Sequence, residues 1–387
     1  MQAEPVTSTN GGSVVGLQPE RLQASVLFLT YTEGKARTLL NALSKRYQTA
    51  TVAFHDNRDF FVWTSDCGKE EHVKRPIPRT NKYFQWLWVW PAMMFIALRM
   101  SRTHRYDVCV SEGEIPTLVA VIARVTGRIR KVVYYALDWF VGQKWAQRLD
   151  WLCFAIGSAR WDLTPRISEA RQQRWGWPTS RGVLLQPFPH SARDQALIQS
   201  VQVEKAVCYT GGIRRSAGLD MVIQAIGILR RGGLDIRFRV CGWVVEREYE
   251  ESLKLLAREE CVADLVTFHG HVSEEEKELI IRKSMCGIAL SPRGAENYSN
   301  YAYIGKVSDY CDNGTPIILT KDSYVASLLS PKNAAIAVGD SYAEVADAIR
   351  SLATDTERLA LCKRMAYQYG VECSSPEGLY RRIEKLL

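Results

Sequence analysis

The sequence predicts a soluble α/β protein of two similar domains, each a parallel sheet covered by crossover helices. Three observations predict it. A chain of 387 residues exceeds what one ordinary core accommodates. Short apolar runs alternate with segments of helical periodicity, the pattern of strand–helix–strand units. The alternation starts afresh after residue 204, so the unit occurs twice. A hydrophobic content of 47% with 24% charged residues agrees with a globular chain.

In the first half, "ASVLFLT" (24–30) reads as a strand, and "YTEGKARTLLNALSKRY" after it carries leucines at helical spacing. "DVCVSEG" (107–113), the helix "IPTLVAVIARVTG" and the strand "KVVYYALDW" (131–139) continue the pattern. In the second half, "KAVCYTGGI" (205–213) feeds the helix "LDMVIQAIGILRRGG". "DIRFRVCGW" (235–243) precedes "EREYEESLKLLAREE", and "DLVTFHGHV" (264–272) precedes "SEEEKELIIRKS". "MCGIALSP" (285–292), "TPIILT" (315–320) and "AAIAV" (334–338) supply three more strands. The prolines of "LLQPFPHSARDQ" (184–195) stop regular structure and mark the join. We therefore expect a tail over 1–20, a first domain over 21–190 and a second over 191–372. A closing helix over 373–387 is a candidate to return to the first domain. Ligands of open sheets bind beyond the carboxyl ends of the strands, so the expected site is the cleft between the domains.

Ten cysteines are scattered without a C-x-x-C pair, mostly in apolar runs such as "DVCV" and "RVCGW". Buried, reduced thiols follow from that placement, and with them a cytoplasmic location. The first 20 residues lack a basic start and an apolar stretch, so they read as a disordered tail and not a signal peptide. The net charge of +8 is uneven: residues 1–195 hold 26 Lys+Arg against 16 Asp+Glu, and the remainder 24 against 26. A basic first half points to an anionic contact. Its cations are dispersed and not gathered into a tract, which disfavours nucleic acid and leaves acidic lipid or a phosphorylated substrate.

"YFQWLWVWPAMMFIALRM" (83–100) is nearly free of charge and carries Trp86, Trp88 and Trp90. It is too short, and interrupted by Pro91, for a membrane span. Two readings stay open: a helix packed within the first domain, or an amphipathic surface against lipid headgroups, which its tryptophans and flanking cations suit.

Three stretches of the second half carry a resemblance. "YTGGIRRSAGLDMVIQAI" (209–226) places Gly211 and Gly212 where the backbone can approach a ligand, ahead of a helix start that favours phosphate. "FRVCGW" (238–243) and "FHGHV" (268–272) are strand ends. "LSPRGAENYSNYAYIGKVSDYCDNGTPIIL" puts Lys306 and Asp309 three apart ahead of a glycine turn and a strand. Read alone, that pair is either a surface i,i+3 ion pair or part of a pocket. Together these stretches resemble the retaining glycosyltransferases of family 4, which have two Rossmann-like domains facing across a cleft, the GT-B arrangement. The likeness runs through most of residues 24–375 in segment order.

The resemblance implies the following roles. Asp309 accepts hydrogen bonds from ribose hydroxyls, and Lys306 offsets charge on the diphosphate leaving group. Gly242 and the His271–Val272 pair flank the nucleotide base. The loop carrying Glu296, Ser299, Asn300 and Tyr301 offers contacts to phosphates and sugar. The usual family Arg falls on Gly212 and the usual Lys on Ala217, so Arg214 and Arg215 are the substitute phosphate cations. The first glutamate of the family's pair falls on Tyr301. In "YYALDWF" (134–140), Leu137 replaces the usual histidine, while Asp138 stands beside sugar and acceptor. "TYTEGKAR" (30–37) is the matching first loop, giving Gly34, Lys35 and Arg37 on the acceptor side.

The implied activity is retaining transfer of a hexose-like sugar from a UDP- or GDP-linked donor to a saccharide or lipid-linked acceptor. It belongs to polysaccharide or glycoconjugate synthesis, at the cytoplasmic membrane face. No metal or other cofactor is expected, because cations and amide dipoles take the charge role. The missing family positions keep a second reading open, a non-catalytic GT-B relative acting as a binding or partner subunit.

Overall fold

A computed structural model describes residues 22–29, 33–55, 59–66, 69–76, 105–136, 144–162, 165–175, 194–291, 303 and 305–387. Two sheets organise them. The first has strands β1 (Leu22–Leu29), β2 (Tyr47–His55), β3 (Asp59–Asp66), β4 (Lys69–Pro76), β5 (Tyr106–Glu112), β6 (Ile129–Ala136) and β7 (Ala159–Asp162). Its order is β4-β3-β2-β1-β5-β6-β7. The second has β8 (Glu204–Thr210), β9 (Arg237–Cys241), β10 (Val266–Gly270), β11 (Ser284–Ala289), β12 (Ile317–Thr320) and β13 (Ala335–Val338), in the order β10-β9-β8-β11-β12-β13.

Every pairing in the second sheet is parallel. Its central strands are near-continuous apolar runs because helices cover both faces: β11 is buried along its whole length, and β8 is buried from Ala206 to Thr210. The first sheet departs from the expected all-parallel form, since β2–β3 and β3–β4 are antiparallel. Three and two residues join those strands, which is too short for a crossover and enough for a hairpin. The polar run "KEEHVKRP" of β4 suits a solvated sheet edge and gives no strand signal in a search for apolar runs.

Crossover helices fill the two faces of the second domain. Val222, Ile226 and Leu229 of the helix Leu219–Arg231 join Phe238, Val240 and Ile288 in one cluster. Val307, Tyr310 and Cys311 join Leu319, Ala366 and Tyr369 in another. After the long helix Thr356–Ser374, the helix Glu377–Glu384 packs into the first domain. Leu379, Tyr380 and Ile383 share a cluster with Val26, Tyr47 and Trp161. The Tyr380 hydroxyl donates to the Ala42 carbonyl at 2.6 Å, and Arg46 pairs with Glu384 at 2.8 Å.

The cysteine reading holds for the described residues: nine are free thiols, and all but Cys261 are buried. No helix among the described residues is long and apolar enough to cross a membrane. The tail over 1–20 and the aromatic stretch over 83–100 lie outside the described residues.

Candidate functional site

In both sheets the chain reverses direction of winding, between β1 and β5 and between β8 and β11, and such switch points leave a crevice at the carboxyl ends. In the second domain that crevice is a cavity of about 380 Å³, within the range of small-molecule sites. It is lined from the ends of β8, β9, β10 and β11 and from the helix Gly305–Asp312.

Glycines bring backbone to backbone at its base. Gly242, with φ of 150°, sits so close to Gly211 that a Cβ on it would lie 1.9 Å from the Gly211 carbonyl oxygen. No other residue fits there. Gly211 N–H donates to the Cys241 carbonyl at 2.9 Å, and Gly242 N–H to the Gly270 carbonyl at 2.8 Å. Three strand ends are thereby tied in one layer, while Gly212 N–H has no partner among the described residues.

The helix Gly305–Asp312 is anchored by its apolar side. Val307, Tyr310 and Cys311 are buried. The Tyr310 ring lies over Gly287 of β11, and its hydroxyl accepts from Thr210 N–H at 3.0 Å and donates to the Ile288 carbonyl at 3.2 Å. Three residues span nearly one turn, so Lys306 and Asp309 both emerge on the opposite side and line the cavity. Lys306 reaches back against the glycine turn: a Cβ on Gly211 would lie 3.5 Å from its Nζ. The ammonium stands 3.9 Å from the centre of the Tyr209 ring. It has no hydrogen-bond or ion-pair partner among the described residues. Burial, and then the Arg214 guanidinium, push its pKa down to about 7 against the opposing pull of Asp309. Lys306 also sits in the first turn of its helix, where the backbone dipole disfavours a cation.

Asp309 turns the other way. Its carboxylate takes Lys277 of the helix Glu274–Lys283 at 3.3 Å, and Lys277 also pairs with Glu274 at 2.6 Å. The i,i+3 ion pair between Lys306 and Asp309 is therefore not formed, and the pocket reading of those two residues stands on the lining they share. Burial raises the Asp309 carboxyl above its ordinary value, with Lys277 opposing. Burial lowers the Lys277 ammonium, but Asp309 and Glu274 together hold it above its ordinary value.

Gly211, Gly212, Arg214, Gly242, Val272, Lys306 and Asp309 are all brought together in this lining. Arg215 is not. Its side chain is 68% exposed, 3.8 Å from Glu246 and 5.6 Å from the Tyr249 ring, because Glu246 and the following helix draw it outward. Of the two arginines, only Arg214 is positioned as a cavity cation. Gly34, Lys35 and Arg37 open the helix Glu33–Arg46 in the first domain and are not loop residues. The side chains of Lys35 and Arg37 lie outside the description, as do Asp138, Glu296, Ser299, Asn300 and Tyr301. No described residue of the first domain lines the cavity. Sequence reasoning missed Tyr209, Trp243, Glu274 and Lys277, which also line it. An aromatic at a strand end before paired glycines was the one available signal for Tyr209.

Two α/β domains, the first on a mixed sheet and the second on a parallel one with a cation-bearing pocket at its strand ends, make up the GT-B architecture. Residues 194–369 match the family described as glycosyl transferases group 1, a stretch that covers the second domain. The second domain thus matches that family, and the fold of the chain is the one shared by GT-B glycosyltransferases. Among solved structures, the chain is similar to Anabaena HepE in complex with UDP at 13% identity, covering 93% of this chain and 98% of that one, with a TM-score of 0.67. It is similar to a glycosyltransferase from Rickettsia africae at 9% identity, covering 94% and 98%, with a TM-score of 0.68. It is also similar to sucrose-phosphate synthase from Thermosynechococcus elongatus at 13% identity, covering 94% and 98%, with a TM-score of 0.66. At such identities the likeness is one of fold. No curated protein matches the chain significantly.

Proposed function

We propose that the protein moves a sugar from a nucleoside-diphosphate sugar to a saccharide or lipid-linked acceptor, with retention of anomeric configuration, as family 4 members do. One observation carries the donor reading: a half-buried ammonium, Lys306, waits beside the glycine turn with Arg214 and without an ion-pair partner among the described residues. A cation partly withdrawn from water without a counter-charge is unfavourable, and a diphosphate placed against Gly211 and Gly212 supplies the missing charge. Gly212 N–H adds a dipole to the same place. Lys306 then stabilises the negative charge that grows on the leaving diphosphate as the sugar–phosphate bond breaks.

Asp309 takes ribose hydroxyls with the oxygen that Lys277 leaves open, and the backbone at His271 and Val272 faces the base. HepE, similar in fold, was solved with UDP and with UDP-glucose, which favours a uridine donor over a guanosine one. Asp138, just beyond β6, is assigned the acceptor side by the family likeness alone. The acceptor belongs to cell-surface polysaccharide or glycoconjugate synthesis, and the basic first half supports contact with an anionic membrane face.

The test is nucleotide binding by calorimetry, with sugar transfer from a panel of UDP- and GDP-sugars. Wild type is expected to bind one nucleoside diphosphate and transfer its sugar, and folded Lys306→Ala and Asp309→Ala variants to lose both. Failure of wild type to bind either nucleotide, or equal binding by Lys306→Ala, overturns the reading.

A further inference from the structure

Tyr209 is the last aromatic of β8 before the glycine turn, and it is 1% exposed. Both of its chemical parts are engaged at the site. The ring face lies 3.9 Å below the Lys306 ammonium. The hydroxyl donates to the Gly212 carbonyl at 2.8 Å. Lys306 has a flexible four-carbon stem and no hydrogen-bond or ion-pair partner among the described residues, so nothing else fixes where its charge stands. An aromatic face attracts a cation through its quadrupole without neutralising it, which a carboxylate in the same place would do. The hydroxyl occupies an oxygen whose lone pairs would oppose an anion approaching the turn.

We propose that Tyr209 is the positioning residue of the donor site: its ring holds the Lys306 ammonium charged over the glycine turn, and its hydroxyl keeps the Gly212 carbonyl engaged. The inference rests on the reading of Lys306 as the diphosphate cation. The charged groups around Lys306 are Arg214 from the loop after β8, Asp309 from its own helix, and more remotely Lys277 and Glu274 from the helix Glu274–Lys283, with His271 after β10. Arg214 disfavours the ammonium and Asp309 favours it, and neither is altered by a change at Tyr209. Removing the ring face removes support for the charged form alone, so the alkaline fall of nucleotide affinity moves to lower pH.

The experiment measures UDP and GDP binding to the full chain from pH 6 to 9 by calorimetry for wild type, Tyr209→Phe and Tyr209→Leu. Tyr209→Phe keeps the ring and is expected to retain the wild-type alkaline midpoint with weaker affinity at every pH. Tyr209→Leu is expected to shift the midpoint down by roughly half a unit to one and a half units. Its affinity should approach that of Tyr209→Phe only where the pH lies below this lowered midpoint and the ammonium is charged again. Should the leucine variant not fold, a series of fluorinated phenylalanines at 209 drains the ring face without changing its shape, and the midpoint should fall with each added fluorine. A midpoint independent of the ring, with wild type binding normally, overturns the role of Tyr209 and leaves the donor reading intact. Absence of UDP and GDP binding by wild type overturns both.

Discussion

Lys277 and Asp309 meet at 3.3 Å and join the helix Glu274–Lys283 to the helix Gly305–Asp312 across the pocket wall. The ammonium opposes the burial that raises the Asp309 carboxyl. Lys277→Met should let that carboxyl rise further, so the acid limb of donor affinity moves to higher pH. At pH 7 the loss should be about tenfold, the scale of a hydrogen bond to a charged group. pH-dependent calorimetry checks it, and combining the change with Asp309→Asn should add little.

Donor binding should take up a proton. Lys306 titrates at about 7 in the free protein against an ordinary value of 10.5, and a bound diphosphate moves it back upward. At pH 8 the uptake should approach one proton, and at pH 6 it should vanish because the ammonium is already formed. Calorimetry in buffers of different ionisation enthalpy reads this directly; equal heats at pH 8 would contradict it.

The same residue should weaken the free fold. Between about pH 7 and 10.5 the unfolded chain holds the Lys306 proton and the native chain does not, so native stability rises with pH through that window. Lys306→Met should flatten that slope and raise the melting temperature at pH 7 by a few degrees, about 1 kcal/mol, while abolishing nucleotide binding. Thermal melts across pH test both.

Two glycines with positive φ should respond unequally. Gly242→Ala places a methyl group onto the Gly211 carbonyl, which should destabilise the second domain by about 3 kcal/mol or more. Gly270, with φ of 68°, has open space around it, so Gly270→Ala should lose about 1 kcal/mol from backbone strain alone. Chemical denaturation distinguishes them.

Much of this was legible before any coordinates. The strands β8, β11 and β12 of the second domain are buried along most of their length and stand out as apolar runs, and Gly211, Gly242, Lys306 and Asp309 were picked out by their order beside such runs. The strand β4 was hidden because a sheet edge needs no apolar run, whereas the short "FFVW" run of β3 was passed over because it is not followed by a helical segment. Lys277 was hidden because its partner lies 32 positions away, and nothing in "SEEEKELIIRKS" distinguishes a pocket lysine from a solvated one. Arg214 and Arg215 are adjacent in sequence, and only the three-dimensional pull of Glu246 separates them.

The helix Glu377–Glu384 completes the core around Tyr47 and Trp161, yet a ribosome makes it only after the entire second domain. The second lobe can thus fold first during translation, while the earlier-made lobe waits with an open seam. Tyr380→Ala should unsettle that late docking by about 3 kcal/mol, seen as slower maturation and easier proteolysis of the first lobe, with nucleotide affinity untouched.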